Sequence, residues 1–324
     1  MHTVAAVVPV YRGETTLEQL LSEMEPFFEV GTTPAGHKWQ VVEVVLVHDH
    51  GPDRSADVIR RLAAEHPQVT PVWLSRNFGQ HAATLAGIGS TSSSWVCTLD
   101  EDGQHHPADI ALLLDAAVAD QLPLVYGKHR DRAPHAGWRN FTSSAAKRTA
   151  QLIAGADLTS FTSFRLILGS HARSIAAYCG PRTYLDVALT WAIGSSGSVE
   201  VTSRPEWRPG SGYTLTRLLS HFWTLVLSGG TRPLRAISTI GAFSALAGFA
   251  GAASVIFRAA TSGYNVAGWA SFMATILVIG GLLLLAIGVV AEYIGVLLRA
   301  AQGRPTYVVV DDPNFGPLRR TESP

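Results

Sequence analysis

Apolar positions in the first 129 residues alternate between two periods. The runs TVAAVVPV (3–10), VVEVVLVHD (41–49), VTPVWLS (69–75), SWVCTLD (94–100) and LPLVYGKH (122–129) are short, nearly continuous and rich in β-branched residues. They predict buried strands. Between them the spacing becomes helical. Leu17, Leu20, Leu21 and Met24 recur within 15–28, with Thr15 or Thr16 as a plausible cap, and SADVIRRLAAEHP (55–67) runs from a capping Asp53 or Ser55 to Pro67. QHAATLAGIGST (80–91) reads as a short helix, and PADIALLLDAAVA (107–119) as a helix with proline in its first turn. Such alternation predicts a largely parallel sheet covered on both faces. In open α/β sheets the ligand crevice lies off the carboxyl ends of the strands. Three of those ends carry polar groups: Tyr11–Arg12, His48–Asp49 and Asp100–Gln104.

The pattern changes further along. From about 135 to 200 the chain is rich in Ser, Thr, Ala and Gly, with helical stretches. GYTLTRLLSHFWTLVLSGG (212–230) carries an apolar stripe of Leu215, Leu218, Leu219, Phe222, Trp223, Val226 and Leu227, which predicts an amphipathic helix in a membrane interface. Two uncharged runs follow, 237–257 and 266–291. Each is long enough to cross a hydrocarbon core, which needs roughly 20 apolar helical residues. The expected organisation is an α/β domain over 1–211, a juxtamembrane amphipathic helix over 212–234, a transmembrane hairpin over 235–298, and a C-terminal strand (TYVVVDD, 306–312) and tail over 299–324. A hairpin of this kind offers a surface for a homo-oligomer.

Composition fits that division. Hydrophobic residues make up 47% of the 324 and charged residues only 15%, and the mean hydropathy is +0.19. Arg232 and Arg235 precede the first run, Arg299 and Arg304 follow the second, and the loop between them holds only Arg258. This bias predicts that both ends of the hairpin lie in the cytoplasm. MHTVAAVVPVY lacks the basic start and long apolar core of a signal peptide, so the first ~230 residues are expected on the cytoplasmic face of the cell membrane. Lys+Arg and Asp+Glu are both 25, a balance that gives no support for a nucleic-acid-binding surface. Two cysteines, Cys97 and Cys179, build neither a disulfide framework nor a zinc knuckle.

The candidate chemistry centres on LDEDGQHHP (99–107). Asp100 and Asp102 share a face of an extended segment, with Gln104 close by. Oxygen donors in that pattern suit Mg²⁺ or Mn²⁺, which takes one or two protein carboxylates and fills its shell with substrate phosphates and water. An alternative reading combines His48, His50, His105 and His106 with Asp49 as a zinc site, although H-D-H and Q-H-H match no regular zinc spacing.

VVPVYRGETTLEQLL, LVHDHGPDRSADVIRRLA, WLSRNFGQHAATLAGI, TLDEDGQHHPADI and VYGKHRDR stand in the order seen in glycosyltransferase family 2. The chain resembles most closely the polyisoprenyl-phosphate glycosyltransferases, which include dolichol-phosphate mannose synthases. Their motifs are P-x-Y-N-E, V-D-D-G-S-x-D, S-R-N-F-G, D-A-D-x-Q-x-P-P and Y-G-x-R. TSFRLI (162–167), RPGSGYTLTRLL (208–219), TRPLR (231–235) and EYIG…GRPTYVV extend the resemblance to nearly the whole chain.

The resemblance implies a GT-A fold and a nucleoside-diphosphate-sugar donor of UDP or GDP type. Pro9, Tyr11, Asp49 and Arg76 would then surround the nucleotide. Asp100 would meet the nucleotide or metal, and Asp102 with Gln104 would hold Mg²⁺ or Mn²⁺. Arg130, Arg132 and Arg165 would clamp the phosphate of a polyprenyl phosphate acceptor. The expected reaction is inverting transfer of a single sugar. Q-x-x-R-W, which marks processive polysaccharide synthases of the family, does not occur.

The chain departs from the motifs at several positions. Arg12 and Gly13 stand where Asn and Glu are usual, HDHGPD replaces D-D-G-S, and Glu101 replaces the alanine of D-A-D, which adds charge near the metal. Ser163 stands where many relatives have aspartate, so Asp157 and Asp186 become the candidates for a carboxylate near the acceptor. An acceptor hydroxyl, as on another membrane lipid, would require such a base. A metal-dependent phosphoesterase and a non-catalytic membrane scaffold are the readings outside the family.

Overall fold

The computed structural model describes residues 1–129, 161–180, 184–202, 204, 205, 207 and 268–315, with isolated positions between 237 and 261. Arg130, Arg132, Asp157 and the expected juxtamembrane helix over 212–234 lie outside the described residues.

The strands and helices expected in the first 129 residues all form. They are β1 (His2–Val10), α1 (Leu17–Met24), β3 (Lys38–His48), α2 (Ser55–Glu65), β4 (Val69–Leu74), α3 (Gln80–Gly89), β5 (Trp95–Thr98), α4 (Ile110–Ala119) and β6 (Leu124–His129). A two-residue strand, β2 (Gly31–Thr32), precedes β3. Beyond them come β7 (Arg165–Leu168), α5 (Gly169–Tyr178), α6 (Leu185–Ala192), β8 (Gly197–Val201), α7 (Trp269–Ala301) and β9 (Val309–Val310).

These strands form one sheet in the order β8-β6-β7-β5-β1-β3-β4-β9, with β2 on β3. β5, β1, β3 and β4 run parallel, as expected. The rest is mixed, because β7 inserts antiparallel between β5 and β6, and β9 lies antiparallel on β4. Two reversals return β6, and β8 beside it, to the direction of β5, so the five strands expected in the first 129 residues all point the same way and the reversed strands are β2, β7 and β9. Strand direction leaves no trace in periodicity, which reports only the faces that are buried.

Both faces are covered. Val4, Ala6, Val8 and Val10 of β1 join one apolar cluster with α1, α2 and α4, and Val7 joins the other with α3, α5 and α6. Each fully buried Val or Leu contributes about 1.5–3 kcal/mol relative to exposure, so this doubly packed strand is a major stabilising element.

α7 is different. Val278–Gly295 has a mean hydropathy of 2.1, and it is the one stretch among the described residues that is long and apolar enough to cross a membrane. Leu283, Leu284 and Ile287 are 58%, 72% and 63% exposed. The described positions between 237 and 261 are helical. After α7, Gly303 adopts φ +60°, where a glycine is favoured. The chain then returns to the sheet. Thr306 Oγ1 donates to the Cys179 carbonyl at 3.1 Å, β9 pairs with β4, and Asp312 accepts two bonds from Arg60 at 2.7 and 2.8 Å.

Candidate functional site

The parallel order β5-β1-β3 sets the carboxyl ends of three strands side by side. The β1–β5 register ends at Val7↔Thr98, and Leu99 N–H still donates to the Val7 carbonyl. The next amide on that side of β1 would belong to Pro9, which has no N–H. The ladder between the two strands ends there, and the loops after them carry the polar groups.

Asp49, at the end of β3, is buried. Its carboxylate accepts the N–H groups of Phe78 at 2.7 Å and Gly79 at 2.9 Å. Gly79 has φ +93°, so a side chain there would be strained. Asp49 thereby anchors the loop that carries Arg76, whose exposed guanidinium lies 4.2 Å from the centre of the Phe78 ring. Burial raises the Asp49 pKa, and the two amides offset this only in part.

Asp100 follows β5. Gln80 Nε2 donates to its Oδ1 and Ser163 Oγ to its Oδ2, both at 2.5 Å. The antiparallel register Thr98↔Arg165 brings Ser163 there. Burial is again the largest influence and raises the Asp100 pKa, against Ser163, Arg165 and Gln80. Asp102 Oδ1 accepts the Gln104 N–H at 3.0 Å, and its carbonyl accepts the Trp207 N–H at 3.0 Å. Gly103 has φ +76°, and a β-carbon there would come within 2.1 Å of the Trp207 ring. Arg204 lies 5.3 Å from that ring and pairs with Glu23 at 2.7 and 2.8 Å. A tryptophan about a hundred residues along the chain therefore closes over the acidic loop.

Glu101 points away from Asp100 and Asp102. Its two carboxylate oxygens accept the N–H groups of Tyr11 at 3.1 Å and Arg12 at 3.0 Å. The charge expected near a metal is directed instead at the turn after β1. Tyr11 is 39% exposed, and the Arg12 guanidinium lies 5.8 Å from its ring centre.

Two expected site residues are engaged inside the protein. Arg165 is 3% exposed, ion-paired with Asp186, and donates through Nε to Thr98 Oγ1 at 3.0 Å. Asp186 also accepts the Tyr126 hydroxyl at 3.2 Å. Burial would lower the Arg165 pKa, but Asp186, Tyr126 and Asp100 outweigh it and hold the guanidinium above its ordinary value. The structure thus sets Arg165 behind Asp100, with Asp186 behind Arg165. Tyr11, Asp49, Asp100, Asp102 and Gln104 follow the carboxyl ends of β1, β3 and β5, where Pro9 also lies, and Arg76 stands on the loop that Asp49 holds.

The donor set fits a hard divalent cation. Asp100, Asp102 and Gln104 offer oxygen. That matches an ion held by one or two carboxylates and completed by phosphate oxygens. The zinc reading does not fit, because no group of three His, Cys, Asp or Glu side chains that could hold a metal occurs among the described residues. The His105 ring stacks on Phe164 at 5.0 Å, His106 Nδ1 caps a helical turn by accepting the Ala108 N–H at 3.1 Å, and His48 is buried against Trp73.

The match to known proteins agrees with this geometry. The family described as Glycosyl transferase family 2 matches residues 5–170, which include the three strand ends and the acidic loop. The chain belongs to glycosyltransferase family 2. Among relatives, the undecaprenyl-phosphate 4-deoxy-4-formamido-L-arabinose transferase of Pseudomonas paraeruginosa is 30% identical over 313 residues, covering 94% of this chain and 89% of that protein. The corresponding transferase of Edwardsiella ictaluri is 29% identical over 311 residues, covering 94% and 93%. Among solved structures, glucosyl-3-phosphoglycerate synthase of Mycobacterium tuberculosis, crystallised with Mn²⁺, UDP-glucose and phosphoglyceric acid, has a TM-score of 0.50. It is 17% identical and covers 71% of this chain and 79% of its own. That likeness identifies the fold as the Rossmann-like α/β fold of GT-A transferases.

Several contacts of the acidic loop were not read from the sequence. Gln80, Ser163 and Trp207 reach the acidic loop from other elements, and Glu101 turns away from it. Ser163 and Glu101 were visible as departures from the motifs. Trp207, in RPEWRPG, carried no such signal.

Proposed function

We propose that this family 2 enzyme transfers a single sugar from a UDP- or GDP-type donor to a polyprenyl phosphate. The reaction takes place at the cytoplasmic face of the cell membrane and inverts the anomeric centre. The observation that carries this reading is similarity over 94% of the chain to transferases that act on undecaprenyl phosphate. The acidic loop at the donor-side strand end supports it. The domain boundaries and two-span hairpin expected from the sequence belong to this proposal, as does assembly through the hairpin.

Tyr11, Arg76 and the loop held by Asp49 receive the nucleotide. Asp102 and Gln104, with Asp100 beside them, would hold Mg²⁺ or Mn²⁺. Such an ion supplies charge stabilisation to the departing diphosphate. The chain itself fixes the acidic loop, through Trp207 on one side and Gln80 and Ser163 on the other. The buried Arg165–Asp186 pair supports Asp100 from behind. The acceptor-phosphate role then falls to Arg130 and Arg132. A phosphomonoester has a second pKa of about 6 and is mostly ionised at neutral pH. It attacks without giving up a proton to a strong base, so alignment and neutralisation do the work. This removes the need for Asp186 as a base, and leaves Asp157 without an obligatory one.

The test is transfer of label from a panel of UDP- and GDP-sugars to undecaprenyl phosphate in detergent, with Mn²⁺ or EDTA. Metal-dependent labelled lipid supports the reading. Labelling of a diacylglycerol instead overturns the acceptor, and release of free phosphate without labelled lipid overturns the transferase reading.

A further inference from the structure

We infer that Glu101 is a positioning residue that shapes the nucleotide-side turn and ties it to the acidic loop. The inference rests on the proposed function and deepens it at the donor site.

The turn 11–13 leaves β1 just after Pro9, where ladder partners run out. Its backbone N–H groups need other acceptors, because a buried unpaired amide is costly. Glu101 supplies one carboxylate oxygen to each of Tyr11 and Arg12. It is 8% exposed, so these are buried, charge-assisted bonds. Gly13 N–H goes to Ser55 Oγ at 2.7 Å.

Position 13 has been emptied to make room. A β-carbon on Gly13 would lie 2.9 Å from Glu101 Oε2 and 2.7 Å from Leu17 Cγ. Gly13 has no positive φ, so the glycine is there for space. Relative to P-x-Y-N-E and D-A-D, the chain has exchanged residue types. The acidic side chain stands at 101 and the small residue at 13. One carboxylate fills this pocket, reached from the β5 loop.

The turn is clamped from the other side as well. A β-carbon on Gly51 would come within 1.7 Å of the Tyr11 carbonyl. Asp53 accepts the Glu14 N–H at 3.2 Å, and Glu14 accepts the Arg54 N–H at 3.2 Å. Between the two clamps the turn presents the exposed Tyr11 ring with Arg12 stacked near it. Glu101 is peptide-bonded to both Asp100 and Asp102, so a shift of the turn is a shift of the acidic loop. The side chain therefore links the nucleoside end of the donor site to its diphosphate end.

The experiment uses the full-length protein in detergent. UDP and GDP binding are measured by calorimetry in EDTA, and donor KM and kcat in Mn²⁺, for wild type, Glu101→Gln and Glu101→Ala. Glu101→Ala is expected to weaken metal-free binding of the nucleotide the wild type prefers by about tenfold, the scale of one or two lost hydrogen bonds. It raises donor KM in parallel and changes kcat less. Glu101→Gln, which keeps one acceptor oxygen, falls between. Gly13→Ala is expected to weaken binding strongly in the wild-type background and somewhat less in Glu101→Ala, where the clash with the carboxylate is gone and the one with Leu17 remains. Should Glu101→Ala unfold, Glu101→Gln and Gly13→Ala carry the test. Unchanged nucleotide binding in EDTA with a raised Mn²⁺ requirement would overturn the inference and make Glu101 part of the cation site. Failure of the wild type to bind either nucleotide in Mn²⁺ as well as in EDTA overturns the proposed function, and this inference with it.

Discussion

The two ends of the sheet treat their carboxylates in opposite ways. Near the amino ends of β1 and β3, Asp115 of α4 accepts the Thr33 hydroxyl, the Ala35 N–H at 2.8 Å and His37 Nδ1 at 2.8 Å. Burial would raise its pKa, but these three partners outweigh burial and hold it below the ordinary 3.8. At the carboxyl ends Asp49 and Asp100 are also hydrogen-bonded, yet burial wins and both are raised. An end that over-satisfies its charge serves stability. An end that keeps acids desolvated and under-compensated gives up stability, a pattern expected where a ligand is to complete the site.

The comparison can be broken most directly at Asp102. Asp102→Asn is expected to lower sugar transfer by about a thousandfold, with an unchanged circular dichroism spectrum and melting temperature, read by labelled-lipid formation. A melting temperature that falls as far as it does for a core substitution would place Asp102 with the stabilising carboxylates instead.

The buried pair behind Asp100 comes next. Arg165→Met leaves Asp186 buried without its cation and should cost about 3–5 kcal/mol. Arg165→Met with Asp186→Leu should recover much of that stability in urea unfolding, while transfer stays impaired because Asp100 has lost its support. Recovery of both would mean that the pair serves the fold alone.

Asp115→Asn at the opposite end should cost about 1–3 kcal/mol and leave transfer within roughly twofold. A large loss of activity in a folded Asp115→Asn protein would erase the contrast between the two ends.

The contrast also has a sign in pH. Folding favours ionised Asp115, so its stabilisation is complete above its unfolded value of 3.8 and is lost as pH falls through the lower folded value. Folding favours protonated Asp49, so stability declines as pH rises from 3.8 through its higher folded value and then levels off. Unfolding free energies should therefore lose a rise on the acid side of pH 3.8 in Asp115→Asn, and lose a decline on the alkaline side of 3.8 in Asp49→Asn. Slopes of the same sign would refute the assignment.

The smallest effect belongs to the sheet edge. Arg60→Ala removes a largely shielded, two-bonded pair with Asp312 and should cost about 1 kcal/mol. Hydrogen exchange should rise at β9 and not at the acidic loop.

The expected elements of the first 129 residues rest on periods that need no partner to be seen. An i, i+3, i+4 stripe such as Leu17, Leu20, Leu21 and Met24 is a local pattern. β7 and β8 escaped because RLIL and GSVEV are too short to show a period, and their segment has no regular turn chemistry around it. That the acidic loop and the polar strand ends meet at one end of the sheet was legible because the alternating topology dictates which ends meet. Their division of labour was not legible. Asp100, Glu101 and Asp102 are consecutive and chemically alike, and their different uses depend on Ser163, Tyr11 and Trp207.

The sequence by itself therefore determined the types of element, the end of the sheet where the polar groups gather, and the apolar run of α7. Each is written in neighbouring residues. Only the tertiary structure decided which acids hold backbone, which pair with a buried arginine, and which remain for a ligand. The deciding contacts join residues far apart in the chain, such as Arg12 and Glu101, separated by 89 positions, or Arg60 and Asp312, separated by 252. No local period records such a pairing, because it is set by the order in which strands assemble and by the space that a glycine leaves open.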